Sequence, residues 1–442
     1  MYRVCAAVFV VVGHWLAASV TYQDGHFVRD NVLGEMPWTQ WLTWIFQVVP
    51  VFFLVAGYAS AASWTGRDGI PLREWLGYRL RATLGPTTAY VAVVLSVVAV
   101  LVGVKVDSTS LDLSAWAVAM HLWFIPVYLV LVALAPIAVA AHRRWGLLVP
   151  VVLGIAVAAV DAVSLTGLVP GLSWANNLLC WAAIYQIGIA WYFGALHGAR
   201  PLVLAIAAAI VIALEIGFGP YPVSLIGVPG QVVQNSAPPS IVMLAFGAAQ
   251  AGLLIAIAPS VTRWLRGSRL QHPLVIANRR VMLLYLWHMI AVVLLALVAY
   301  PTGLFPQPAV GSAGWWLSRL LWVAVLSVLT AGVLWLVGRG RPILAASLRT
   351  VRIGLPVRWA TPIVLAGTGL AAVALWRLAA DGFAPQGRFP VWAALLYACG
   401  VAVAAVLPTR SRPFGLDRQY RSAAEQSQAL HQRTETSRNA GG

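Results

Sequence analysis

Arg3 and His14 bracket the apolar run VCAAVFVVVG at the start of the chain. On a helix the eleven-residue step between them turns about 20° past three full turns, so both side chains share one face, about 16 Å apart along the axis. A histidine inside a hydrocarbon-spanning segment is costly and marks a functional site by default. A fixed cation at the membrane surface and an acid/base group deeper on the same stripe suit a ligand that is anionic at one end and reactive at the other.

Further groups have matching chemistry. The connection WTGRDGIPLREWLGYRLRATLGP presents Arg67, Arg73, Arg79 and Arg81. Arg79 and Arg81, two apart, do not share a helix face, yet can converge on phosphates from a helix end or a turn. The plainer alternative is a basic loop beside anionic lipid. In VFFLVAGYAS, Gly57 with Ala56 and Ala59 offers a smooth patch for close helix packing or for approach of a ligand. HLWFIPVY holds His121 and Trp123, with Pro126 positioned to bend the segment. LYLWHM puts His288 about 12 Å from Arg280. Any one intramembrane histidine can be a packing residue; His14, His121 and His288 together point to a shared polar cavity. Asp161, set in IAVAAVDAVSL, is a carboxylate placed to orient His14 or to bind sugar hydroxyls.

No metal-ligand spacing is present, and Cys5, Cys180 and Cys399 all lie in apolar runs, which excludes a disulfide framework or cysteine metal site. Neither a phosphate-binding loop nor a GxSxG elbow occurs, which removes ATP-driven transport and serine-hydrolase chemistry.

The elements that must position these residues are transmembrane helices. Of 442 residues, 61% are hydrophobic and 10% charged, against roughly a quarter charged in soluble domains. Hydropathy predicts an all-α polytopic membrane protein of twelve spans, at 4–20, 38–62, 84–104, 114–141, 146–163, 177–195, 201–218, 239–259, 282–300, 315–338, 359–379 and 390–408. Of the 29 lysines and arginines, all but Arg29, Lys105, Arg319, Arg377 and Arg388 fall on one side of this plan. The positive-inside rule therefore predicts that both termini are cytoplasmic. The net charge of +16 is a topology signal and not a nucleic-acid footprint. The Pro- and Gly-rich stretch 219–238 is expected to be an outer loop without helix.

Taken in order, these segments resemble the acyltransferase-3 family of integral membrane proteins. The resemblance rests on Arg3 and His14, FFLVAGY at 52–58, RLRATLGP at 79–86, HLWF at 121–124 and YLWH at 285–288. It covers residues 1–338 as a ten-helix core, followed by two additional spans with a basic connection over 339–408. Residues 409–442 are expected to form a disordered basic cytoplasmic tail, with a short surface helix near 416–432. Two features depart from the family pattern. Ala56 stands where a serine is usual, and the second arginine of the basic loop is Arg81, two and not three positions after Arg79.

The resemblance implies a multi-pass, stand-alone enzyme of the cytoplasmic membrane that moves an acyl group, commonly acetyl, from cytoplasmic acyl-CoA to a hydroxyl of an envelope carbohydrate or glycolipid. Arg3, Arg79 and Arg81 would hold the CoA phosphates. His14 would act as general base or be acylated itself, and His121, Trp123, His288 and Asp161 would serve the acceptor or a proton relay. Acyl-CoA would be a co-substrate, with no permanently bound cofactor. The competing plan with twelve spans is a secondary transporter, but the two similar six-helix halves of that architecture are not visible here. A third reading is a non-catalytic glycan- or lipid-binding subunit, against which the intact Arg3 and His14 argue.

Overall fold

Apolar runs that must satisfy their own backbone in lipid become helices. The computed structural model describes residues 1–23, 25–29, 31–346, 351–353 and 356–408, and the expected tail lies outside them. The helices are α1 (Tyr2–Ala17), α2 (Val32–Glu35), α3 (Thr43–Phe46), α4 (Val49–Thr65), α5 (Leu72–Gly103), α6 (Ser108–Ala117), α7 (Phe124–Ala133) and α8 (Ala135–Trp145). They continue as α9 (Leu148–Leu165), α10 (Asn176–Tyr192), α11 (Arg200–Gly217), α12 (Ile241–Arg266), α13 (Gln271–Ala299), α14 (Ala313–Ala346), α15 (Ala360–Asp381) and α16 (Val391–Ala405). Two small two-stranded sheets accompany them, an antiparallel hairpin of β1 (Val20–Gln23) with β2 (His26–Arg29) and a short parallel pair of Val351–Ile353 with Val406–Pro408.

Each of the twelve expected spans falls on a helical segment. Among the described residues, however, eight segments are long and apolar enough to cross a membrane, or nine if a pair bent by 41° counts as one. The difference has physical causes. With 16, 17 and 15 residues, α1, α10 and α16 reach only about 24 Å, short of a hydrocarbon core about 30 Å thick. The fourth expected span is the bent pair: α6 gives way to a 3-10 turn at Met120–Trp123 before α7 begins. Pro126 explains the break, because its ring excludes the helical carbonyl four residues earlier, at Leu122. The proline thereby sets His121 on a turn.

Glycine decides how closely α4 approaches α10. A Cβ on Gly57 would collide with the carbonyl oxygen of Tyr185, and one on Gly188 with that of Leu54. The FFLVAGY glycine is thus a packing notch, as its small neighbours imply. It brings α4 against α10 and leaves Ala56 and Ala59 beside a cavity.

The end of the molecule that carries stretch 219–238 is knitted by polar ties. Trp44 and Gln47 donate to the carbonyls of Val223 and Leu225, and the Leu225 amide donates to Thr43. Stretch 219–238 is without helix, as expected. Arg319 donates to the carbonyl of Ala18, just past the end of α1, at 3.2 Å; a cation suits that helix terminus.

The helices beyond residue 339 dock directly on the core. α15 packs on α5, α7 and the Met120–Trp123 turn. Phe383, fully buried, lies 6.2 Å from the Tyr90 ring, and its amide donates to the Ala115 carbonyl.

Candidate active site

The stripe that begins the sequence persists in space. Arg3 lines a cavity of about 270 Å³, whereas Val10 and His14, two turns and then one further turn along α1, line a chamber of about 20 Å³. Phe52, Phe124 and Tyr285 line both. The larger cavity therefore runs from two arginines to an aromatic constriction, and the histidines lie beyond it.

The second arginine of the cavity is Arg79. Its guanidinium donates to the hydroxyl of buried Ser60 at 3.1 Å and sits 5.7 Å from the Trp75 ring. Ser60 lies one helical turn after Ala56, so the hydroxyl absent at 56 is supplied from the same face of α4. Among the described residues, the ion pairs are Arg73 with Glu74 and Arg377 with Asp381, so no carboxylate neutralises Arg3 or Arg79. Two such cations beside Val55, Ala56, Val281 and Met282 suit a ligand with an anionic head and an apolar arm. Pro86, inside α5, has no N–H to offer the carbonyl of cavity-lining Ala82.

Arg81 does not join them. Its guanidinium folds over Gly77 and donates to the Ala404 carbonyl at the end of α16, at 3.4 Å. Two positions along α5 carry it to the opposite side from Arg79, so the expected trio is a pair.

The three intramembrane histidines do converge. Nδ1 of His14 lies 2.9 Å from Nε2 of His288, with the rings stacked 5.1 Å apart at 18°. Nδ1 of His288 is 2.8 Å from the Tyr285 carbonyl. A carbonyl only accepts, so hydrogen-bond pairing assigns the tautomers: His288 carries its proton on Nδ1 and accepts on Nε2, and His14 donates from Nδ1. The Nε2 lone pair of His14 is then left for chemistry. Trp15 donates to the His288 carbonyl at 3.3 Å, and Trp322 to the Trp15 carbonyl at 3.0 Å, tying α1, α13 and α14 at this level.

His121 approaches the same group edge-on, 5.1 Å from the His288 ring. It is 1% exposed and neither of its ring nitrogens makes a hydrogen bond, although a buried polar atom without a partner is costly. His121 and Trp123 both line the small chamber, and the Tyr285 hydroxyl donates to the His121 carbonyl.

Asp161 is elsewhere. Its carboxylate accepts from Asn176 at 2.8 Å, Tyr221 at 3.0 Å and the Ile241 amide at 2.6 Å. With three donors engaged, it ties α9 to α10, to stretch 219–238 and to the start of α12, and lines neither cavity. Burial, followed by the Asp161 charge, pushes the Tyr221 phenol well above its usual range, so Tyr221 stays a donor at any working pH.

Phe52, Phe124 and Tyr285 enter the sequence reading only inside FFLVAGY, HLWF and YLWH, and Ser60 only inside VFFLVAGYAS, none with a role of its own. A signal existed for two of them: Tyr285 precedes His288 by three residues and Ser60 follows Ala56 by four, both same-face spacings. Among the described residues no cluster of His, Cys, Asp and Glu fits a metal ion.

A family model described as an acyltransferase domain matches residues 2–339. No curated protein and no solved structure matches the chain.

Proposed function

The chain belongs to the acyltransferase-3 family, a multi-pass membrane acyltransferase, and from that premise we propose that it transfers a short acyl group, acetyl in the first instance, from cytoplasmic acyl-CoA to a hydroxyl of an envelope carbohydrate or glycolipid. The observation that carries this reading is the course of the cavity. It has, at one end, two cations that no carboxylate among the described residues neutralises and, past an aromatic constriction, a histidine with a directed lone pair at the other.

Arg3 and Arg79 hold the phosphates of CoA by charge-assisted hydrogen bonds, and the pantetheine arm follows the apolar wall toward Phe52 and Tyr285. The acceptor hydroxyl gives its proton to Nε2 of His14 while its oxygen attacks the thioester carbonyl carbon. As the tetrahedral adduct collapses, the carbon–sulfur bond breaks and sulfur leaves with the electron pair. The proton on His14 passes to that sulfur, giving the ester and free CoA thiol. His288 holds the imidazole in the tautomer this requires and faces the positive charge as it forms. His121, which lines the small chamber with His14, is placed to bind the acceptor hydroxyl.

In this reading all twelve helical segments cross or enter the bilayer and both termini are cytoplasmic. The support is the charge distribution. The short segments reach their full depth only alongside longer neighbours.

The test is release of free thiol from acetyl-CoA by purified protein in liposomes, together with direct binding of CoA. Release that requires His14 supports the reading. Absence of both release and CoA binding overturns it.

A further inference from the structure

Resting on the acyl-CoA reading above, we propose that Phe52, Phe124, Tyr285 and Trp123 form an acyl-length filter that admits a two-carbon acyl group and rejects chains of four carbons. In a thioester the alkyl chain lies on the far side of the carbonyl from sulfur. With the pantetheine arm in the larger cavity and the carbonyl at His14, the chain must occupy the small chamber. That chamber measures about 20 Å³, and a single water needs about 10–15 Å³ of such space. It has room for one or two water-sized groups, such as the methyl group of the donor and the acceptor hydroxyl at His14, and not for a longer alkyl chain.

The walls differ in how readily they could yield. Phe124 stands between Phe52 and Tyr285, with ring centres 5.7 and 5.6 Å away, and is wedged against Phe53 and Tyr128 at 4.9 and 5.8 Å. The Tyr285 ring is tied through its hydroxyl to the His121 carbonyl, so it cannot swing aside without breaking that bond. Trp123 backs the chamber and leans on Trp181 at 5.8 Å, which stacks on Phe53 at 4.9 Å. Phe52 touches just one of the constriction rings, Phe124, and is the wall most easily trimmed. A close-packed aromatic wall of this kind does not expand to take extra methylenes.

The experiment compares acetyl-, propionyl- and butyryl-CoA with the full-length protein in liposomes supplied with a mixed extract of envelope glycans and glycolipids. The readout is the ratio of kcat/KM values for thiol release, so a variant with a lower overall rate is still informative. Binding of thioether analogues of the same three lengths is measured in parallel. The wild type is expected to lose at least about tenfold per added methylene. Phe52→Leu and, independently, Trp123→Phe should raise the butyryl-to-acetyl ratio by about tenfold or more. Phe52→Ala should raise it further if it folds. An active wild type that uses all three donors equally, or a ratio that neither Phe52→Leu nor Trp123→Phe moves, overturns the filter alone. A protein that neither turns over nor binds any of the three overturns the donor assignment and the filter with it.

Discussion

His14 and His288 are 274 residues apart in the chain and 2.9 Å apart at Nδ1 and Nε2. The bond has a direction, because the Tyr285 carbonyl commits Nδ1 of His288 as a donor. Activity should follow that direction. His14→Ala is expected to abolish thiol release, a loss of about 10²-fold at least for a general base, while thermal unfolding in detergent stays near wild type. Retained release would remove His14 from the chemistry.

His288 acts through His14, and its substitutions should be graded by acceptor chemistry rather than by size. Gln at 288 can still accept from Nδ1 of His14, whereas Leu cannot. His288→Gln is therefore expected to keep distinctly more kcat than His288→Leu, with KM for acyl-CoA little changed in both. Equal losses in the two variants, or a loss expressed in KM, would make His288 a packing residue.

The arginines separate into two classes. In the proposed binding mode Arg3→Ala and Arg79→Ala would each remove a charge-assisted bond to phosphate, worth about 1.5–3 kcal/mol, so KM for acyl-CoA should rise about tenfold or more and KM for the acceptor much less. Arg81→Ala removes a contact with the end of α16 and should lower the unfolding temperature while leaving KM for acyl-CoA close to wild type. A large KM effect at Arg81 would mean that its guanidinium turns into the cavity when the donor binds.

These contrasts show what was legible before the structure. The stripe from Arg3 to His14 follows from helical periodicity alone, and the convergence of three histidines follows from the cost of leaving any of them in lipid. Gly57 as a packing notch was readable for the same local reason. The direction of Arg81 was not, since it depends on a carbonyl 323 positions away. Nor was the break in the fourth expected span. Hydropathy registers apolar runs, but whether a run makes one straight helix depends on features such as Pro126 and the turn that carries His121. Asp161 looked catalytic because a carboxylate in an apolar run is expensive. The cost is met by Asn176, Tyr221 and the Ile241 amide, and two of those groups lie in or next to stretch 219–238, beyond the reach of local pattern.

Asp161 accordingly belongs to stability. Asp161→Ala strands three donors at a buried position, at about 1–3 kcal/mol for each unsatisfied group. The variant should unfold at markedly lower temperature, yet its activity per folded molecule and its KM for acyl-CoA should stay near wild type. A folded Asp161→Ala protein with kcat reduced a hundredfold would return this carboxylate to the catalytic group.

Orientation can be tested independently of chemistry. The arginines of 63–83 and 260–281 lie on the side opposite stretch 219–238 in the twelve-span plan, and moving so many cations across a bilayer is opposed by the positive-inside bias. Stretch 226–236 includes Val232, which is 99% exposed, so a cysteine there is accessible without disturbing the ties at Val223 and Leu225. With Cys5, Cys180 and Cys399 replaced by serine or alanine, a cysteine at Val232 should react with a membrane-impermeant maleimide in intact cells, whereas one at Asp68 should react only after permeabilisation. The reverse pattern would place Arg3 and Arg79 on the outer side, where no acyl-CoA is available, and would invert the proposed direction of transfer.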